Sequence, residues 1–529
     1  MACIKHFALY GAAEAGRDYN MVDMSRYRMY NEYFPPYKAA VETGAGSVMT
    51  SFNTINGVPS TANKWLLTDV LRNQWHFNGF VVTDATAIAE LQNHGLGNLK
   101  QVSAKALTAG VDMDMGAGGF VGTLKKSLSE GKVTEAEINK ACRYILEAKY
   151  KLGLFIDPYK FCDAERAKKE EHTAGHLTAA RKMASESFVL LKNDHHLLPL
   201  HRSGTVAVVG PLAEAQNNMN GTWSVNFHSE CSLVTGLKEV AGSDVHVLYA
   251  KGCNLEYDRA KQDRETMEYP LVWDNRSSGE MVDEAVNVAN RSDVVIAALG
   301  ESAGMSGESA SRSQIDIPEC QETLLKALVK TGKPVVLMLF NGRPLVLNWE
   351  KANVLAILEI WFGGSEAARA IGDVLFGDVN PSGKLTVSFP QNVGQLPYTY
   401  RHESTGRPLP KGEWFRKFCS DYLDVSNDMV YPFGYGLSYT TYTYSDIVLN
   451  SGKMDRHGSI QASVTVTNTG DRDGYEIVQM YLHQVAGTMA PPVKELKGFK
   501  RVHLKAGESK RIKFTITPEL LKYYMIILN

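Results

Sequence analysis

The chain has 529 residues, 44% hydrophobic and 22% charged, an ordinary globular composition that excludes a disordered, collagen-like or coiled-coil protein. Its formal net charge of −2 gives no electrostatic reason to expect a nucleic acid or an anionic membrane as a partner. At about 150 residues per domain the length predicts three to four domains, and the apolar runs are too short for a membrane-spanning helix.

Residues 1–116 alternate short apolar strands with helical stretches. The predicted strands are Cys3–Tyr10, Ser47–Asn53, Gly79–Asp84 and Gly110–Met115, and the predicted helices are Tyr37–Thr43, Lys64–His76 and Leu99–Ala109. Strands without polar alternation that end in polar residues are typical of parallel βα units in a barrel, whose working face is formed by the strand ends. Four such units predict half of a (β/α)8-type barrel in a first domain, residues 1–156.

The chain opens directly in an apolar strand, and no signal peptide pattern is visible. We therefore expect the barrel to lack its front, either in a sequence fragment or in a split gene whose partner chain supplies the first half. A natural N-terminal strand is the alternative.

A charged linker is predicted at residues 157–172, followed by a second alternating region at 173–395. Its predicted strands are Val206–Gly210, Val245–Tyr249, Val294–Leu299, Val335–Phe340, Val354–Ile360 and Leu385–Phe389. Its predicted helices are Thr178–Lys192, Glu280–Asn290, Gln321–Thr331 and Ala367–Leu375. This order predicts a three-layer α/β sandwich with a mainly parallel sheet.

Residues 396–445 are rich in Pro, Gly, Tyr and Trp and are predicted to form a loop-rich connector. Hydrophobic alternation with period two follows in residues 446–529, for example in Ile460, Ala462, Val464 and Val466. This pattern predicts an all-β sandwich, incomplete by one edge strand.

Asp84 ends the apolar strand in the segment FNGFVVTDATA. Burying a carboxylate there is costly unless it is hydrogen-bonded, paired or used in chemistry. We interpret Asp84 as a nucleophile or base, with an N-cap for the following helix as an equally supported alternative.

Other polar side chains are predicted to lie near the same strand ends. Lys5 and His6 end the first strand and Arg17 follows in a loop, a set that suits a polyol substrate. Structural ion pairing of Arg17 with Asp18 or Asp112 is the alternative. Met49 is expected to face inward, where such a side chain is more often plain core.

Glu308 lies in a loop rich in Gly and Ser after the predicted strand Val294–Leu299. Loops after parallel strands often carry functional residues, but by itself a solvated loop glutamate is the simpler interpretation. The loop contains no phosphate-binding pattern, and the seven cysteines show no metal-ligand spacing. We therefore predict no metal and no organic cofactor.

Several long motifs together identify the chain as a member of glycoside hydrolase family 3, of the β-glucosidase type. They include KHFALYGAAEAGRDYN, LLTDVLRNQWHFNGFVVTDATAI, LGESAGMSGESASRSQIDIP and VTVTNTGDRDGYEIVQMYL. The resemblance implies the C-terminal half of the barrel, the α/β sandwich and a fibronectin-III-like domain. It is closest to periplasmic bacterial β-glucosidases, so it implies a periplasmic or secreted protein.

The resemblance also implies roles for individual residues. Asp84 matches the family's nucleophile and Glu308 its acid/base, while Lys5, His6, Arg17 and Met49 match residues that line the −1 sugar subsite. A retaining mechanism places the two carboxyls about 5–5.5 Å apart. Because 224 residues separate them in sequence, we expect two domains to contribute to one site.

The expected function is hydrolysis of terminal β-linked glucose from small carbohydrates. A β-xylosidase or another exo-glycosidase of the family is one alternative, and the N-acetylglucosaminidase branch fits less well. The remaining alternative is a catalytically impaired fragment. In that case residues 1–529 alone are expected to show little activity and poor solubility. Homodimerisation stays open.

Overall fold

A computed structural model describes residues 1–224, 229–267 and 269–525. The chain folds into two compact units, Met1–Glu170 with Tyr523–Asn529, and Glu171–Lys522. The last four residues of the predicted sandwich domain, 526–529, lie outside the described residues.

The first unit is built on a parallel sheet in the order β1-β2-β5, with β1 at Cys3–Phe7, β2 at Ser47–Thr50 and β5 at Phe80–Val82. A small hairpin, β3 at Thr54–Ile55 and β4 at Val58–Pro59, follows β2. Ile4 pairs with Val48 and Val48 with Val81, and the β1–β2 register shifts between Ile4 and Phe7.

The fourth predicted strand, Gly110–Met115, is wrong: only Met113 forms a bridge, to Val82. Its neighbour Asp112 uses its side chain for pairing, because the carboxylate accepts the Val81 N–H at 2.7 Å. The region therefore continues the sheet through a few backbone hydrogen bonds at Asp112 and Met113 and does not form a regular strand.

The helices of the first unit surround this sheet. They are Arg26–Arg28, Phe34–Glu42, Ala87–Glu90, Leu99–Ala109, Gly119–Ser129, Glu135–Lys151 and Ala164–Glu170, with π-helices at Met29–Tyr33 and Trp65–Gln74. Capping boxes start two of them, at Asn98 with Gln101 and at Thr134 with Glu137, so the local sequence fixes where each helix begins. Fully buried Leu66, Leu67 and other apolar residues form the core.

The second unit contains a six-stranded sheet in the order β6-β11-β10-β9-β7-β8. Its strands are β6 Val189–Asn193, β7 Gly204–Val209, β8 Val245–Ala250, β9 Val294–Gly300, β10 Val335–Phe340 and β11 Ala356–Glu359. All pair in parallel except β6, which pairs antiparallel with β11.

Alternate residues of these strands belong to two different cores. Val206 and Ile296 pack on one face of the sheet, whereas Ala207 and Val295 pack on the other. The helices of this part are Ala174–Ser187, Leu233–Ala241, Arg259–Glu265, Ser278–Asn290, Glu319–Lys330, Asn348–Asn353 and Ala367–Leu375. Helices cover both faces, and this confirms the predicted α/β sandwich architecture.

Two predicted elements of this region differ from the structure, one at its end and one throughout. The helix predicted at Thr178–Lys192 ends at Ser187, because the apolar run after Phe188 is the edge strand β6 and not a further helical turn. The strand predicted at Leu385–Phe389 is irregular, with one bridge from Phe389 to Tyr431. Both segments are apolar, and apolar runs this short do not distinguish helix, strand and buried coil.

Residues 442–516 form the all-β part of the second unit. Its strands are β12 Tyr442–Tyr444, β13 Val448–Leu449, β14 Ile460–Asn468, β15 Gly474–Leu482, β16 Glu495–Leu504 and β17 Ser509–Ile516, followed by the short helix Pro518–Leu521. One sheet joins β12, β13 and β17 to β14, and a second pairs β15 with β16. Val466 and Ile512 of the first sheet share a core with Val478 and Leu504 of the second.

The described residues after this helix, up to Met525, do not add an edge strand to the sandwich. Tyr524 instead stacks on Tyr30 of the first unit, with ring centroids 4.2 Å apart, and its backbone pairs with Asn31. The described end of the chain, up to Met525, therefore belongs to the first compact unit.

Candidate active site

The parallel strands of the first unit bring three of the predicted site residues to one edge of the sheet. His6 lies near the end of β1, Met49 lies in β2 opposite Val82 of β5, and Asp84 follows β5 by two residues. Because the strands are parallel and adjacent, their carboxyl ends lie side by side.

Two donors hold the Asp84 carboxylate. His6 Nε2 lies 3.2 Å from Oδ2, and the Ala85 N–H donates to Oδ1 at 2.8 Å. The Asp84 side chain retains 14% exposure, enough to face a ligand. It does not cap the following helix, which begins after Thr86 without a side-chain cap, so the N-cap alternative is wrong.

The backbone of His6 is itself held by a hydrogen bond. The Tyr37 hydroxyl donates to the His6 carbonyl at 2.6 Å, and burial raises the pKa of Tyr37 to about 12. The Tyr10 ring meets the imidazole edge-on at 5.4 Å. The peptide bonds Lys5–His6 and Phe7–Ala8 are cis. Tyr37 was missed in the sequence because it lies within a helix and carries no motif.

Lys5 and Arg17 are exposed, and among the described residues neither forms an ion pair with Asp84. Arg17 does not pair with Asp112 either, because Arg72 occupies that carboxylate at 2.5 Å. Burial raises the pKa of Asp112 to about 6, and Arg72 opposes this shift. Asp112 is thus a structural residue of the sheet.

Two further polar residues at the strand ends also have structural roles. Asp114 accepts from the Gly119 and Phe120 N–H groups at 2.7 and 3.1 Å and so caps the helix Gly119–Ser129. Asn53 is fully buried and donates to the Ala8 carbonyl at 3.4 Å. At the strand ends of this unit, Asp84 and His6 form a pair of side chains that is accessible for chemistry.

In the second unit, Glu308 lies on the loop that follows β9. The parallel strands there are ordered β8-β7-β9-β10-β11, so the chain reverses its direction of winding between β7 and β9. In open α/β sheets ligands bind outside the carboxyl ends of the strands at such a switch point. The topology therefore places Glu308, which is exposed, where function is expected.

Contacts from the loop after β7 support the Glu308 loop. Asn218 Oδ1 accepts from the Ala303 N–H at 2.7 Å, and the Thr222 hydroxyl lies 2.6 Å from the Ser306 carbonyl. Gly307 has φ +98°, and a Cβ there would lie 2.4 Å from Thr222 Cγ2. Glycine is thus required immediately before Glu308.

Among the described residues, no three His, Cys, Asp or Glu side chains are grouped so that they could hold a metal ion. None of the helices in the described ranges combines the length and apolar character needed to cross a membrane.

Family models match most of the chain. The glycosyl hydrolase family 3 N terminal domain matches residues 1–148, the corresponding C-terminal domain matches 188–439, and a fibronectin type III-like domain matches 476–526. The chain belongs to glycoside hydrolase family 3, which confirms the resemblance seen in its motifs.

Individual relatives agree with this assignment. The chain is 48% identical to the periplasmic β-glucosidase of Salmonella typhimurium, over 99% of this chain and 69% of that protein. A β-xylosidase of Formosa agariphila is 38% identical, over 98% and 70% of the two chains. The structure of a β-glucosidase from Listeria innocua with isofagomine superposes with a TM-score of 0.91 at 39% identity, covering 99% of this chain and 70% of that one.

Proposed function

We propose that the chain acts as a retaining exo-β-glucosidase that releases terminal β-linked glucose from small carbohydrates. The observation that carries the proposal is the accessible Asp84 carboxylate at the carboxyl end of a parallel strand, held by His6 and Ala85. Family membership and the β-glucosidases among the relatives support it.

In this proposal Asp84 attacks the anomeric carbon while Glu308 protonates the leaving oxygen. The covalent glycosyl–Asp84 ester is then hydrolysed by a water molecule, from which Glu308 removes a proton. The two donors on Asp84 fix the direction of its lone pairs before the sugar arrives, which lowers the entropic cost of attack.

The remaining predicted residues are proposed to bind the sugar. Lys5 and Arg17 are exposed cations suited to hydroxyl groups, and His6 has a partly exposed ring beside the nucleophile. Met49 supplies an apolar, half-buried surface on the neighbouring strand.

The stereochemistry of the product tests the mechanism. Proton NMR during hydrolysis of an aryl β-glucoside is expected to show β-glucose first, followed by mutarotation. If α-glucose appears first, the retaining mechanism is contradicted. Because mutarotation interconverts the anomers, the enzyme concentration is chosen so that the sugar is released faster than it mutarotates.

A β-xylosidase is the second candidate, because a β-xylosidase stands among the relatives at 38% identity. Comparison of kcat/KM for 4-nitrophenyl β-glucoside and β-xyloside decides between the two. We expect preference for the glucoside, and a preference for the xyloside would favour this second candidate.

We predict that catalysis needs no metal and no organic cofactor. Overnight treatment with EDTA is expected to leave activity unchanged, since two carboxyl groups suffice for the reaction. Activity that is lost with the chelator and restored by a divalent metal would contradict this prediction.

We further propose that the first unit corresponds to the C-terminal half of a (β/α)8 barrel, and that the domain boundaries are 1–156, 173–395 and 446–529. A periplasmic or secreted location is proposed from the S. typhimurium relative. Fractionation of the source organism with periplasmic and cytoplasmic marker enzymes tests the location.

A further inference from the structure

A fully buried carboxylate lies at the root of the Glu308 loop. Glu301 follows β9 directly, and its side chain is 0% exposed. Its Oε1 lies 2.6 Å from Arg312 Nη1 and 2.9 Å from Arg343 Nε, and its Oε2 accepts from the Gly342 N–H at 3.2 Å. Two guanidinium groups therefore offset the cost of burying one charge.

Arg343 connects this carboxylate to the loop. Its Nη2 donates to the carbonyl of Met305 and, at 2.7 Å, to the carbonyl of Ala310. These carbonyls lie three residues before and two residues after Glu308, so one guanidinium nitrogen ties both sides of the loop together. Burial lowers the pKa of Arg343, and the neighbouring Glu301 opposes this shift and favours the charged form.

Arg312 makes a second set of hydrogen bonds, on the C-terminal side of the loop. Its Nη1 binds Glu301, and its Nη2 donates to the Asp316 carbonyl at 3.2 Å. The segment from Glu301 to Asp316 is thus closed on itself by charged hydrogen bonds, although it contains no regular element apart from the short turn Ala303–Met305.

We propose that Arg343, balanced by Glu301, is a positioning residue that holds Glu308 in place for proton transfer. This inference rests on the proposed function, in which Glu308 is the acid/base. A general acid works only within hydrogen-bond reach of the leaving oxygen, and an exposed loop residue without such ties would sample many positions.

The first test measures the dependence on the leaving group. An activated substrate such as 2,4-dinitrophenyl β-glucoside needs little protonation, whereas an unactivated alkyl β-glucoside needs much. For Arg343→Ala we expect kcat/KM on the alkyl glucoside to fall about 10–100-fold more than on the activated one. Arg343→Lys, which keeps the charge but loses the planar fork, is expected to be intermediate, and Glu301→Gln is expected to resemble it.

The matched control is Arg181→Ala. Arg181 makes a bidentate ion pair with Asp373 at 2.5 and 2.6 Å in the same unit, but it does not contact the Glu308 loop. Its removal is expected to change both substrates equally. A purely structural role of Arg343 would give the same pattern as this control.

The second test needs no turnover. Hydrogen–deuterium exchange of peptides covering residues 303–311 is expected to be faster in Arg343→Ala than in the native chain, with the core strands unchanged. Unchanged exchange in this loop would overturn the inference. If Arg343→Ala does not fold, Arg343→Lys and Glu301→Gln are subjected to the same two measurements and decide the inference in its place.

Glu308→Ala serves as the reference that separates the two proposals. If this variant shows no greater loss on the alkyl glucoside, the acid/base assignment itself is wrong. If it does show that loss while Arg343→Ala lowers both substrates equally, the assignment stands and the positioning role of Arg343 is overturned.

Discussion

The Asp84 carboxylate has a local geometry that its sequence context only partly predicts. An acidic residue at the end of an apolar strand could be a cap, a base or a nucleophile, and the segment FNGFVVTDATA does not distinguish them. The contact with His6 depends on the pairing of β1, β2 and β5, which brings together residues 78 positions apart. Tyr37, which supports His6, depends on the same packing and has no signal in the sequence.

At this scale we predict the effect of removing the nucleophile and its donor. Asp84→Ala is expected to lower kcat by at least about 10³-fold, because no other group replaces the covalent step. His6→Ala is expected to lower kcat/KM by about 10–100-fold, since a hydrogen bond to a charged group contributes about 1.5–3 kcal/mol.

Steady-state kinetics on an aryl β-glucoside measure both effects. The control is His76→Asn, an exposed histidine that lies after the helix Trp65–Gln74 and before β5, near the amino ends of the strands. We expect it to retain native activity. Equal losses in His6→Ala and His76→Asn would contradict a specific role of His6.

Among the elements, the second sheet carries buried polar residues at the carboxyl ends of three consecutive strands. Glu301 follows β9, Asn341 follows β10 and Glu359 ends β11, and all three are 0% exposed. Asn341 Nδ2 donates to Glu359 at 3.0 Å, and the Trp361 N–H donates at 2.9 Å. Burial nevertheless raises the pKa of Glu359 from 4.5 to about 8, and the charge of Glu301 adds to this shift.

The raised pKa of Glu359 predicts how the stability of the fold changes with pH. The folded chain binds the Glu359 proton more tightly than the unfolded chain. The stabilisation of the fold by this proton is therefore complete below pH 4.5 and is lost as the pH rises to about 8. The loss is at most about 5 kcal/mol. Glu359→Gln removes the titration, so above pH 7 this variant is expected to be more stable than the native chain.

Urea denaturation at pH 5, 6.5 and 8 measures this difference. Glu403→Gln, a change at an exposed glutamate, is the control and is expected to follow the native curve. If the free energy of unfolding changes equally with pH in the native chain and in Glu359→Gln, then Glu359 is ionised in the folded chain at neutral pH.

The sequence predicted strands well where turn signals bound an apolar run, as for Val335–Phe340, which is observed with the same bounds. It predicted helices well where a capping residue precedes the periodic pattern, as for Leu99–Ala109. It failed at β6, because Val189–Asn193 continues directly from a helix without a Gly or Pro between them. The ion pairs of Glu301 with Arg312 and Arg343 were also missed, because only strand pairing and loop packing bring these three residues together.

At the scale of the whole molecule, each compact unit has a core of its own. The first unit buries Leu67 and its neighbours between its sheet and helices, and the second buries both faces of a six-stranded sheet, for example with Leu337. A region with its own core can unfold as a separate cooperative step. Because Asp84 and Glu308 belong to different units, activity requires both units to be folded under the proposed mechanism.

We therefore predict that core truncations act on one unit at a time. Leu67→Ala and Leu337→Ala each remove a fully buried side chain and are expected to cost about 2–5 kcal/mol. Leu67→Ala should lower the urea midpoint for exchange protection in peptides of residues 47–82 and leave peptides of residues 294–340 unchanged. Leu337→Ala should do the reverse, and in each variant activity should be lost at the lower of the two midpoints. If either substitution shifts both sets of peptides equally, the chain unfolds as one cooperative unit and the separation into two fails.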